Sequence, residues 1–215
     1  MSSTRIKIVE TSILLFNNKG LANVRLQDIA EYNNISPGNL TYHFKTKKDL
    51  MEYIIYYMIR KLVKIETTQR ESLKHMSLYK ILRNNIIFLF NYRFFFRDIL
   101  EIINLVPNAK SIYKDVIIIN EKFTIEYINI SIKNGYMKKE AFVGQYKTFA
   151  KNNWAIISSS LTTWEVLDDF KNKYHKILDE IMGHFYPYLT KKGLDRYKTK
   201  QKELSKKIDQ DFKNL

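Results

Sequence analysis

The sequence predicts an all-α protein, with an N-terminal three-helix helix-turn-helix domain followed by a larger helical domain. Three observations carry that expectation. Glycine and proline number only 6 and 3 in 215 residues, few for a chain that has to turn between strands. Apolar residues recur at helical spacing, and no stretch alternates convincingly at period two, although residues 116–119 would pass for a buried strand in isolation. Residues 35–50, ISPGNLTYHFKTKKDL, read as a very short helix, a tight corner and the capped start of a longer helix. A helix that short does not hold itself up in water. Its exposed face must serve something else.

Residues 4–18 place Ile6, Val9, Ile13 and Phe16 on one helical face, with Gly20 just beyond as a C-terminal cap. Residues 26–32 form a second helix with Leu26, Ile29 and Ala30 inward, and Asn33-Asn34 turns the chain because Asn tolerates positive φ. Ser36 caps the third helix, Pro37 occupies its first position, and Leu40 and Phe44 supply its apolar side. Thr46 and Asp49 cap the next helix, which runs from Lys47 until the polar patch 66–75 ends it. Ser77 caps a fifth helix over 78–92, and a sixth over 98–106 stops at Pro107. A seventh, over 109–134, closes at Gly135. Residues 142–164 and 168–189 form an antiparallel pair, and Gly193 separates a lysine-rich last helix over 194–212. The expected division is a domain over 1–50, a linking helix over 47–66, and a second domain over 51–215.

The net charge of +14 and a pI near 9.6 suit a polyanionic partner, although an AT-rich genome inflates lysine in the same way. Cysteine is absent, which excludes disulfides and thiolate metal sites. The most apolar region, 86–106, is broken by Asn91, Arg93, Arg97, Asp98 and Glu101, so no membrane span is expected and the chain reads as cytoplasmic. His43, His75, His175 and His184 lack metal-ligand spacing. Neither a nucleophile elbow nor a phosphate-binding loop is present. We therefore expect no enzyme, no cofactor and no metal.

From Gly20 to Leu50 the motif order, with Asp28-Ile29-Ala30, Ile35-Ser36, Gly38-Asn39-Leu40, His43-Phe44 and Lys47-x-x-Leu50, resembles the tetracycline-repressor (TetR) family of bacterial transcription regulators. The resemblance spans roughly the N-terminal quarter of the chain. Four positions depart from it. Arg25 stands where a hydroxyl usually caps the second helix, Asn33-Asn34 replaces Ala-Gly, and Thr41 replaces a phosphate-touching Tyr.

A recognition helix meets base edges with its N-terminal end. Asn39 can pair with adenine there, and Thr41 can touch a thymine methyl or a phosphate. Tyr42, His43, Lys45 and Lys47 are phosphate anchors, and Gly38 permits close backbone approach. Arg25, Gln27, Ser36 and Pro37 complete the expected DNA surface. The resemblance further implies a homodimer on a palindromic double-stranded operator, and a small effector bound in the larger domain. A hydrophobic effector would suit its aromatics: Phe88, Tyr92, Phe96, Tyr113, Phe123, Tyr127 and Trp154, with Arg93, Asn120 and Asn153 for orientation. Trp154, Ile157, Leu161 and Trp164, with Ile177, Ile181, Phe185 and Tyr188, form candidate dimer seams. Two other readings stay open. One is a constitutive DNA-binding protein with a filled core, and the other is a basic helical module that meets a protein or an anionic membrane.

Overall fold

The structure is a computed structural model that describes residues 3–72, 78–167 and 174–213. Among these residues it is helical throughout, apart from one isolated antiparallel bridge, Met137 to Leu189. The chain packs as two compact units, residues 1–64 with 91–113, and residues 65–90 with 114–215.

The first unit opens with α1 (Ser3–Lys19), α2 (Leu26–Tyr32), α3 (Pro37–His43) and the start of α4 (Lys47–Ser72). Phe16, Ile29, Leu40, Phe44, Leu50 and Ile54 are all buried, so the apolar stripes of the three short helices close over one core. The expected caps are in place. Gly20 takes φ +80 and donates to Phe16 O at 3.0 Å, and Asn34 takes φ +55. Thr46 and Asp49 bond reciprocally at 3.0 and 3.1 Å, satisfying two orphan N–H groups at the start of α4.

The same unit takes in α6 (Arg93–Arg97) and α7 (Ile99–Leu105), which follow α5 (Leu78–Asn91). No helix was expected over 93–97. The chain breaks at Tyr92 (φ −120, ψ 29), and the short helix that follows buries Phe94, Phe95 and Phe96. The short helix then seals the end of α1. Asn17 accepts from the Phe94 N–H at 3.1 Å and donates to Asn91 O at 2.8 Å. The Arg97 guanidinium donates to Phe16 O at 2.9 Å, and Asp98 accepts from the Leu21 N–H at 3.0 Å. Two backbone groups at the end of α1 and its exit, and two at the junction of α5 and α6, are thereby satisfied.

The second unit contains α5, α8 (Ala109–Lys133), α9 (Gln145–Val166), α10 (Tyr174–Phe185), the 3-10 turn Tyr186–Tyr188 and α11 (Lys191–Lys213), with α5 and α8 contributing from Leu78 to Phe90 and from Lys114 onward. α4 continues into the polar patch expected to end it, as far as Ser72, because Gln69 is only 2% exposed and bonds Asn85, while Glu66 and Arg70 pair one turn apart. α9 begins at Gln145 rather than Phe142, since Gly144 sits at φ +86, which a right-handed helix excludes. Gly193 lies within the first turn of α11 and not before it. A Cβ there would come within 2.0 Å of Tyr136 O, so only glycine allows the helix start to rest on the 134–144 connection. The cap expected from Ser77 and the start of the helix expected from Asp168 lie outside the described residues.

Candidate nucleic-acid interface and effector-domain cavity

Asn33 closes the turn between α2 and α3 from inside. Its amide donates to Ile29 O at 2.8 Å, and its oxygen accepts from the Thr11 hydroxyl at 3.1 Å, which ties the turn to α1. The sequence showed only a residue tolerant of turns, because nothing in its spacing pointed at Thr11. Ser36 accepts from the Asn39 N–H at 3.1 Å, so the start of α3 is fixed by its own cap. Arg25 supplies no side-chain cap to α2, and the Asp28 carboxylate accepts from the Arg25 N–H at 2.7 Å instead. The acidic half of the capping box thus replaces the missing hydroxyl.

On this scaffold Arg25, Gln27, Ser36, Pro37, Gly38, Asn39, Thr41, Tyr42 and Lys45 are all exposed, while His43 and Lys47 are half-buried. Tyr42 is 85% exposed, and His43 meets its ring edge-on at 5.3 Å between centroids. A large aromatic left in water on a short, well-capped helix gains nothing for the fold. The Thr41 hydroxyl donates to Pro37 O one turn back, which leaves its methyl as the outward group. A Cβ on Gly38 would meet nothing nearer than Ser36 Oγ at 3.9 Å, so internal packing does not require glycine there. Lys47 faces both ways. Its ammonium donates to Leu21 O at 2.6 Å and lies 5.8 Å from the Phe16 ring centre. Burial pushes its pKa down, against the pull of Glu101 and Asp28.

The residues expected to line an effector pocket divide between the units. Tyr92, Arg93, Phe96 and Tyr113 belong to the first, where Arg93 donates to Asn18 at 3.0 Å. Phe88, Asn120, Phe123, Tyr127, Asn153 and Trp154 belong to the second. There a cavity of ≈ 20 Å³ brings together Asn120, Phe123, Tyr127 and Asn153, with Leu78, Ile81, Leu82, Asn85, Thr124 and Phe185 completing its walls. Trp154, Ile157, Leu161, Trp164, Ile181 and Phe185 are buried within the chain itself, and Tyr188 is half-buried. Trp164 donates across to Glu180 at 2.7 Å, and Phe149 stacks on His184 at 4.2 Å. The side chain of Ile177 lies outside the described residues. Among the described residues no group of three His, Asp or Glu is placed to hold a metal ion, and no helix is long and apolar enough to cross a membrane.

A short, exposed recognition helix held at a fixed corner, with a larger helical part behind it, defines a helix-turn-helix transcription regulator. The TetR family model, described as bacterial transcriptional repressor, matches residues 58–197, and the model for the N-terminal part of bacterial regulatory proteins of the tetR family matches residues 8–54. The chain belongs to the TetR family. It is 25% identical over 146 residues to the HTH-type transcriptional regulator YttP of Bacillus subtilis, a stretch covering 64% of this chain and 67% of that protein. A TetR-family regulator from Marinobacter aquaeolei shares the fold at TM-score 0.73 and 23% identity, over 94% of this chain and 98% of that one. A transcriptional regulator from Saccharomonospora viridis, solved in complex with choline, matches at TM-score 0.65 and 20% identity, over 89% and 100%.

Proposed function

We propose that this regulator is a repressor that binds a palindromic operator as a homodimer and is released by a small effector held in its larger domain, 51–215. The observation that carries the DNA surface is the exposed row on α3 and just past its end, where Asn39, Thr41, Tyr42 and Lys45 stand outside the core that Leu40 and Phe44 close. Asn39 reads a base edge and the Thr41 methyl touches a thymine, while Tyr42, Lys45 and the free donors of Lys47 hold phosphates. A regulator with this fold was solved in complex with choline, which supports the ligand-responsive reading. Release follows from a population shift. The chain passes between the units at residues 64–65, 90–91 and 113–114, so a change in α5 or α8 pulls on α6 and on the α1 end that it seals.

The test is a fluorescence-anisotropy titration with DNA from upstream of its own gene. Asn39→Ala should cost about 1–3 kcal/mol of affinity at the preferred site and little elsewhere. Lys45→Ala should weaken all DNA alike and flatten the salt dependence by about one unit of slope per head. Unchanged affinity in both variants would remove this face as the interface.

A further inference from the structure

Two buried acceptors beside one cavity of the second unit lack a hydrogen-bond donor. Among the described residues, Asn120 Oδ1 and Asn153 Oδ1 have no hydrogen-bond partner, and both side chains line the cavity between α5, α8, α9 and α10. Asn153 is only 3% exposed. The carboxamide oxygen of Asn85, on the same wall, is already occupied by Gln69 at 3.4 Å, so the deficit is confined to Asn120 and Asn153. A buried carbonyl oxygen without a donor is costly, and such atoms in folded proteins usually meet one from protein, water or ligand.

The rest of the cavity narrows the chemistry. None of its ten lining residues carries a charge, so a fully charged group would enter without a counter-ion. Leu78, Ile81, Leu82, Phe123 and Phe185 make most of the remaining wall apolar, with the hydroxyl-bearing Thr124 and Tyr127 beside them. A volume of ≈ 20 Å³ admits one water-sized group. What reaches the oxygens is therefore the slender end of a molecule, not a ring.

We infer that Asn120 and Asn153 form the polar anchor of the effector site, and that they take a neutral, largely apolar molecule ending in a hydroxyl or another N–H or O–H donor. An ether or ester terminus would set its own lone pairs against theirs. This rests on the ligand-responsive reading above and adds the class of ligand to it.

Isomeric probes separate donor from bulk. Calorimetry on the full-length protein compares 1-butanol with diethyl ether and 1-hexanol with dipropyl ether, and operator binding is followed in parallel by anisotropy. The alcohol of each pair should bind about fivefold more tightly or better, the worth of one neutral hydrogen bond. Asn153→Leu, which matches the side chain in shape and removes the orphan oxygen, should keep or raise Tm and bring the two affinities together. Asn120→Leu should do the same and covers the case in which the first variant folds poorly. Equal affinities in the wild type, which would mark a site for water only, overturn the inference. So does a preference for the ether, which would mean that the amide nitrogens face the cavity. If the alcohol preference depends on the carboxamides but operator affinity never changes, the anchor stands and release by effector falls. If operator binding responds to some other small molecule while the alcohols show no preference, the anchor falls alone.

Discussion

At the scale of single residues the proposed DNA face divides into side chains that hold the head and side chains left free for a partner. Gly38 is the sharpest case. It lies in α3, where alanine is favoured over glycine by about 0.5–1 kcal/mol, and no internal atom lies closer than 3.9 Å to the Cβ it lacks. Gly38→Ala should therefore leave Tm unchanged or raise it while lowering operator affinity by roughly tenfold, about 1.4 kcal/mol, because the added methyl meets the DNA backbone. Thermal denaturation beside anisotropy checks both halves, and a variant that keeps full affinity would place the DNA elsewhere. Lys47 does not separate so cleanly. Its bond to Leu21 O means that removing it disturbs the α1 exit as well as any phosphate contact, so Lys45 is the better probe of charge.

At the scale of elements the informative piece is α6. Five residues, RFFFR, bury three phenylalanines and close the end of α1 through Asn17, Arg97 and Asp98. Asn17→Ala should destabilise the protein by about 1–3 kcal/mol, because the Phe94 N–H and the Asn91 carbonyl both lose a partner in a buried place. Urea denaturation measures it. A loss below a few tenths of a kcal/mol would show that solvent reaches these groups and that the seal is not tight. α9 and α10 show the same economy of contact. The aromatic seam proposed for a partner chain also makes contacts within its own unit, with Trp164 bonded to Glu180 and Phe185 buried. Small residues are among the outward positions: Ala155, Ser159 and Thr162 on α9, and Gly183 on α10.

At the scale of the whole molecule one recognition helix reads too few bases for a unique site, and a twofold dimer spaces two of them along the duplex. If the outward faces of α9 and α10 make that dimer, Ser159→Arg combined with Gly183→Arg should shift sedimentation from dimer to monomer. Both positions are exposed and a Cβ on Gly183 meets nothing within 4 Å, so the fold should survive the change. Operator affinity should fall by about a hundredfold or more as the second head is lost. A variant that stays dimeric would move the interface to another face.

What the sequence determined alone was local. Ser36, Pro37, Thr46 and Asp49 cap their own helices, Gly20 and Gly135 take the left-handed conformation that ends a helix, and Leu40 and Phe44 mark the buried side of α3. Each of these depends on neighbours within one turn, so spacing was enough to read them. Tertiary packing decided the rest. The grip of Asn33 on Thr11, the bond from Phe94 to Asn17, the move of Arg93 to Asn18 and the demand for glycine at residue 193 all answer to atoms between 22 and 77 residues away along the chain. Asn120 and Asn153 read as plausible ligand groups in the sequence, but only the fold brings their unpaired oxygens to one cavity and leaves every charge outside it.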